Sequence, residues 1–284
     1  MISKAEADAF APKGLEAIRD EIIDFLRLRV KPLVTASVTE VWRKGGNSDG
    51  DVVTNVDYDT QEILFAFLTK LYKDSYFFGE ENFQGIETIN ELPLWIVDPL
   101  DGTVNFASRI PFYSISICLV VSGRPVLAVV FDLVGDVVYD AIVGCGARVD
   151  KYPLVWSSDL ASRSPTAITS GFLYRYLLNA EGRGGAKIRE LLGPKIRILG
   201  SQALQLCWAA EGRLRLTISA ETKLWDEAAG VLICLEAGAG HMMAGRKQIF
   251  PLFAGDAATT GKSMTTVAGD QELVTRVVSF IEES

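Results

Sequence analysis

Trp95-Ile96-Val97-Asp98-Pro99-Leu100-Asp101-Gly102-Thr103-Val104-Asn105-Phe106 is an apolar run that passes directly into two acids around a proline. Trp95, Ile96 and Val97 suit a pleated, buried surface, so the run predicts a strand whose end carries Asp98 and Asp101. Pro99 stiffens the turn between them, and two carboxylates brought together there repel unless something positive lies between. A hard cation such as Mg²⁺ is the natural partner, because it takes a few carboxylates, carbonyls and waters. Gly102 and Thr103 stand where a helix would begin, and the free N–H groups and positive dipole end of such a start favour phosphate. The stretch therefore predicts a strand-to-helix corner at which metal and phosphate meet.

Downstream the chain turns β-rich. Ile115–Val121, Val126–Asp132 and Asp136–Val143 are separated by short turn segments, Ser122-Gly123-Arg124 and Val134-Gly135, which predicts an antiparallel meander. Upstream, Leu15, Ile18, Ile22, Leu26, Val30 and Leu33 recur at helical steps, with Pro32 marking the expected end. A second stripe, Leu64, Phe67, Leu68 and Leu71, is opened by Thr54 or Asn55, so two helices are expected before the first strand. Beyond Trp156 strand-like and helix-like segments alternate to a final helix at about Asp270–Glu283. An α+β half over residues 1–155 thus joins an α/β half over 156–284, with no linker or internal repeat between them. The boundary is soft, and the halves are expected to form one compact unit with any site at their interface.

Composition narrows the chemistry. The 284 residues are 49% hydrophobic and 23% charged, ordinary values for a globular chain with a large core. A net charge of -8 argues against bulk nucleic-acid binding. The N-terminal stretch mixes Lys4, Glu6 and Asp8, and no apolar run reaches the ~18 residues that cross a bilayer, which predicts a cytoplasmic chain without membrane attachment. Cys118, Cys145, Cys207 and Cys234 form no C-x-x-C pair and read as reduced, half-buried thiols. A single histidine, His241, removes most triad and His-rich zinc chemistry, leaving carboxylates, hydroxyls and bound metal.

Three further acidic groups could feed the same corner: Gly79-Glu80-Glu81 after the aromatic strand Tyr76–Phe78, Trp225-Asp226-Glu227 opening an Ala-rich helix, and Asp51-Val52-Val53-Thr54-Asn55-Val56-Asp57. Singly, each has an ordinary structural explanation: Asp57 and Asp226 as helix caps, Glu80-Glu81 as a solvated turn, Asp98 to Gly102 as a tight loop. Together, with Gly200-Ser201 standing between the Asp-Pro-Leu-Asp-Gly-Thr stretch and Trp225-Asp226, their order and spacing resemble the inositol monophosphatase family of lithium-sensitive, magnesium-dependent phosphatases. The resemblance spans roughly Gly14 to Gly240 and implies an αβαβα layered sandwich of α+β class, in agreement with the meander-then-alternation read from the residues.

What the resemblance implies can be stated residue by residue. Glu80, Asp98 and the Leu100 carbonyl would hold one Mg²⁺, and Asp98, Asp101 and Asp226 a second, with two or three ions in all. Thr103, oriented by Asp51, would position and help deprotonate a water, with Glu80 as a second acceptor, while the N–H groups of Gly102 and Thr103 hold phosphate oxygens. Asp101, Gly200, Ser201, Ser219 and Asp226 would form the wall that takes the alcohol. Thr54 and Asp57 are left to supporting or capping roles, Glu81 to orientation or solvation, and His241 to a strand. Arg43 and Lys44, before the Gly-rich stretch 45–50, belong either to a loop closing on the site or to a solvated turn. The family resemblance and a mean hydropathy of +0.21 also point to a homodimer.

Two positions depart from the family pattern. Ser219 stands seven residues before Asp226, where a glutamate is common, and Gln202 follows Gly200-Ser201, where a small residue is usual. Both fall on the alcohol wall, so the expectation is hydrolysis of a small phosphorylated polyol, with a sugar phosphate or nucleotide as the alternative. Fructose 1,6-bisphosphate, histidinol phosphate and 3′-phosphoadenosine 5′-phosphate are the named alternatives, and a non-catalytic cation- or phospholigand-binding protein is the rival from another class.

Overall fold

The computed structural model describes residues 14–36, 40–43, 52–72, 74–81, 93–178, 182–245, 248–256 and 258–283. The first apolar stripe forms α1 (Leu15–Phe25), which continues through a π-helical stretch at Leu26–Val30 into α2 (Lys31–Ala36). Pro32 therefore does not end the helix. The wider π turns immediately before it accommodate the missing N–H and the ring, and they shift the stripe by one residue, so that Val34 is buried where Leu33 was expected.

A short antiparallel pair, β1 (Val41–Arg43) and β2 (Val52–Thr54), precedes the second helix. Three-residue strands are too short to show a period, which is why two helices were expected before any strand. Helix α3 (Asn55–Leu71) is capped by Thr54, with Asp57 closing a capping box, and buries Val56, Leu64 and Leu68.

The larger sheet has the order β3-β4-β5-β6-β7-β8-β9, with β3 (Tyr76–Gly79) parallel to β4 (Leu94–Asp101) and every other pair antiparallel. Strands β5 (Ser114–Val121), β6 (Arg124–Asp132) and β7 (Val137–Ile142) are the expected meander, extended by β8 (Gly146–Val149) and β9 (Tyr152–Leu154). After α4 (Thr103–Ala107) and α5 (Ser158–Ala161), the second sheet runs β11-β10-β12-β14-β13. In it β10 (Thr166–Ile168) lies parallel to β11 (Ile196–Arg197) and β12 (Leu216–Thr222). Strands β13 (Gly240–Met243) and β14 (Met264–Gly269) join antiparallel, so this half is mixed rather than simply alternating.

Two helices fill the space between the sheets. Helix α8 (Gln202–Ala210), which follows α6 (Ser170–Phe172) and α7 (Gly182–Leu192), packs on β12 and β14, and α9 (Leu224–Ala237) packs on β4 to β8. Most of α9 is buried, from Ala228 to Cys234 without a break, and Gly230 lets it approach α8 so closely that a Cβ there would lie 2.5 Å from Leu206. α1 and α3 cover the outer face of the larger sheet, while α10 (Gln271–Glu283) covers the second, giving the layers αβαβα. Cys118, Cys207 and Cys234 are fully buried and Cys145 is exposed, so none is half-buried as expected. Among the described residues, no helix is long and apolar enough to cross a membrane.

Candidate active site

The parallel pairing of β3 with β4 sets Gly79 opposite Val97, and the Glu80 N–H donates to the Val97 carbonyl at 3.2 Å. Glu80 is thereby carried to the end of β4 where Asp98 stands. The turn is clipped from α3: the Gln61 side chain accepts from the Glu81 N–H at 2.9 Å and donates to the Glu81 carbonyl. Glu81 is itself buried, which excludes the solvated role. On the other side of β4, Ser116 donates to the Trp225 carbonyl at 3.1 Å, fixing the start of α9 beside the same strand end.

Three carboxylates converge there, two from the end of β4 and one from the start of α9. Asp98, Asp101 and Asp226 each offer an oxygen within 4.8 Å of the other two. Asp98 accepts the Leu100 N–H at 2.9 Å, a local turn made possible by Pro99. Asp101 accepts from Ser201 Oγ at 2.5 Å and from the N–H groups of Gln202 at 3.1 Å and Ala203 at 2.7 Å, so it sits on the amino end of α8. Asp226 closes the capping box of α9 through Oδ2, which accepts the Lys223 N–H at 2.7 Å.

Burial raises the pKa of all three acids. Asp101 is pushed up to about 6 despite its donors, and Asp98 and Asp226 are raised well above the carboxylate range by burial and then by the neighbouring Glu80 and Asp101. None of the three has a cationic side chain paired to it among the described residues: Lys223, the one cation lining the cavity, turns its Nζ to the Gly261 carbonyl at 2.9 Å and to Ser263. Hard oxygen donors, clustered, largely buried and uncompensated, fit Mg²⁺.

Thr103 stands at the start of α4, and its hydroxyl donates to Asp57 Oδ1 at 2.9 Å or to the Leu100 carbonyl at 3.0 Å. The carboxylate that holds Thr103 is thus Asp57. Asp51, the expected partner, lies outside the described residues. Asp57 is fully buried and keeps Oδ2 on Thr54, accepting its N–H at 2.7 Å and its hydroxyl at 2.5 Å, so one side chain is both cap and partner to Thr103. The Thr54-x-x-Asp57 pattern was legible as a capping box, but the reach of its second oxygen was not. Gly102 has φ +97°, and a Cβ there would lie 3.1 Å from the Phe112 and Gly200 carbonyls, so only glycine fits between the two walls.

A cavity of about 410 Å³ opens over this cluster, lined by Glu80, Asp101, Thr103, Gly200, Ser219 and Asp226 among others. Ser201 is buried behind it, its hydroxyl committed to Asp101 and within 3.2 Å of Ser114. A bulge between Ser219 and Thr222 carries Glu221 into the lining, over Gly171, where a Cβ would lie 2.3 Å from Glu221 Oε2. A carboxylate therefore does line the wall, two residues beyond the position of Ser219. Gln202 and Gln205 complete its inner side. His241 lies on β13, as expected, and faces the fully buried Glu227 at 3.0 Å. Arg43 ends β1, and Lys44 and residues 45–50 lie outside the described residues.

Comparison with known proteins identifies the family. The model of the inositol monophosphatase family matches residues 13–277. A Nus factor SuhB of Pasteurella multocida is 34% identical over 195 residues, covering 67% of this chain and 71% of that protein. Inositol monophosphatase 2 of tomato, Solanum lycopersicum, is 35% identical over 193 residues, covering 66% of this chain and 73% of that protein. A Thermotoga maritima IMPase structure superposes with a TM-score of 0.74 at 26% identity, covering 93% of this chain and 96% of that one. The chain belongs to the inositol monophosphatase family and is a phosphatase.

Proposed function

We propose that this phosphatase hydrolyses a small polyol phosphate monoester, of the inositol 1-phosphate kind, with Mg²⁺ as its cofactor. The observation that carries this reading is the trio Asp98, Asp101 and Asp226, the first two buried and the third partly so, with oxygens within 4.8 Å of one another and no paired cation among the described residues, beside the Thr103–Asp57 pair. A phosphate monoester is close to a dianion, and such a pocket would repel it without bound cations. Glu80, Asp98 and the Leu100 carbonyl would hold one ion, and Asp98, Asp101 and Asp226 another. When bound, Mg²⁺ supplies the positive charge that the phosphate and the leaving oxygen need, and it acidifies water.

The chain's own residues do the rest. Thr103 has one proton to donate, and the Asp57 carboxylate is a stronger acceptor than the Leu100 carbonyl. Its lone pairs are then free to accept from an attacking water, while the Leu100 carbonyl stays available as a ligand. Proton density lost by the water is drawn through Thr103 toward Asp57, with Glu80 as a second acceptor. The N–H groups of Gly102 and Thr103 hold phosphate oxygens, and Gly200, Ser219, Asp101 and Asp226 face the alcohol.

Ser219 at a common glutamate position favours a second reading, in which the alcohol is a sugar or nucleotide. The test is phosphate release from a panel of monoesters with Mg²⁺ and with EDTA: inositol 1-phosphate, fructose 1,6-bisphosphate, histidinol phosphate and 3′-phosphoadenosine 5′-phosphate. Magnesium-dependent release with inositol 1-phosphate preferred supports the first reading, and preference for another ester supports the second. Release from none, or release unchanged in EDTA, defeats both.

A further inference from the structure

The central helical layer holds a polar chain that the phosphatase chemistry does not use. Glu227, fully buried on α9, accepts from Gln202 Nε2 at 2.7 Å and from Thr266 Oγ1 at 2.8 Å, and faces His241 Nε2 at 3.0 Å. A carboxylate only accepts, so Gln202 turns its amide nitrogen to Glu227 and its oxygen away. That oxygen accepts from Gln205 Nε2 at 3.1 Å, which fixes the second amide in the same sense. The end of the chain is Gln205 Oε1. This oxygen is buried and has no partner among the described residues, on a side chain that lines the cavity and is 1% exposed. A buried acceptor without a donor is unfavourable, and the hydrogen bond it lacks is the one a substrate hydroxyl would bring.

Resting on the phosphatase reading above, we infer that Gln205 is a specificity-determining residue. Its Oε1 accepts a hydrogen bond from a hydroxyl on the alcohol half of the phosphate monoester. Gln202 and Glu227 are positioning residues that hold the amide nitrogen and so leave the oxygen as the atom without a protein donor. The preferred class is a hydroxylated ring alcohol over an ester without free hydroxyls.

The experiment compares kcat/KM for inositol 1-phosphate with that for 4-nitrophenyl phosphate, which has no hydroxyl, on the full chain with saturating Mg²⁺. In Gln205→Met the ratio of the two should fall by about three- to tenfold, the value of one neutral hydrogen bond, mostly through a higher KM for the polyol ester. Glu227→Leu should lower the same ratio, and combining the two changes should add little, because both act through one oxygen. A folded Gln205→Met protein with the ratio unchanged, or with both esters slowed in equal proportion, overturns the assignment. If Gln205→Met fails to give a cooperative melt, Gln205→Asn, which withdraws the oxygen by one methylene, is read by the same two outcomes. Wild-type protein that hydrolyses neither ester defeats the phosphatase reading itself and this assignment with it.

Discussion

Replacing Asp57 by asparagine should disable the enzyme while leaving most of its fold intact, and the hydrogen bonds around it say how. Asp57 accepts three donors, the Thr54 N–H, the Thr54 hydroxyl and the Thr103 hydroxyl. Asparagine has one acceptor oxygen, and because the Thr54 N–H can only donate, that oxygen must stay on the cap. The amide nitrogen then faces Thr103 Oγ1 and occupies the lone pair that would accept from water. Thr103 is left to turn its proton to the Leu100 carbonyl at 3.0 Å, which draws on a carbonyl assigned to the metal. Loss of a positioned proton acceptor costs about 10²- to 10⁴-fold in kcat. The cap survives with a neutral acceptor, at a cost of about 1 kcal/mol, or about 2–4 °C in Tm for a chain of this size. Phosphate release measured across a Mg²⁺ titration, with a melt on the same sample, checks both numbers. A cooperatively melting Asp57→Asn protein with near wild-type kcat, or one rescued simply by more Mg²⁺, would refute the reasoning.

Three other outcomes are expected. Asp101, raised to about 6 in the fold, binds more protons there than in the unfolded chain between its ordinary value near ~3.9 and about 6. Its contribution is therefore present at low pH and lost as pH rises through about 6, and Asp98 and Asp226, also raised, act in the same sense. Mg²⁺ replaces those protons, so the gain in Tm on adding Mg²⁺ should widen from about pH 5 to about pH 8, and a gap that narrows would contradict the cluster's electrostatics. Asp98→Asn removes a repelling charge from the middle of that cluster, so it should raise the melting temperature of the metal-free protein while abolishing turnover and weakening Mg²⁺ binding by calorimetry. A homodimer is expected in solution, and a monomer by light scattering at micromolar concentration would contradict it.

The residues that decide the fold were legible because their signals are local and repeated. The apolar run before Asp98 has to be a buried strand, and the short turns after Val121 and Asp132 leave no room for a crossover, so the meander follows. The end of the first helix was misread because a proline normally stops one, and nothing in the stripe announces π turns that accommodate it. Strand β14 escaped because its six residues interleave threonines with valine and alanine rather than showing a clean alternation, whereas β13 was marked only by His241. Glu221 could not be placed from spacing, since a bulge advances the side chain and bulges leave no fixed residue pattern.

The site itself turned on a choice that the sequence presents as either-or: a capping acid or a working acid. The structure removes the choice, because a carboxylate has two oxygens and a cap needs only one. Asp226 closes the box of α9 through Oδ2 and still contributes to the trio with Asp98 and Asp101. Asp57 closes the box of α3 through Oδ2 and holds Thr103 with Oδ1. In each case the cap fixes the side chain's rotamer before any ligand arrives, Asp57 with its Oδ1 on Thr103 and Asp226 within the trio. A helix start is also where the dipole best tolerates a negative charge. The capping role thus supplies the orientation on which the proposed chemistry depends, and a substitution that spares the cap while blocking the second oxygen separates the two.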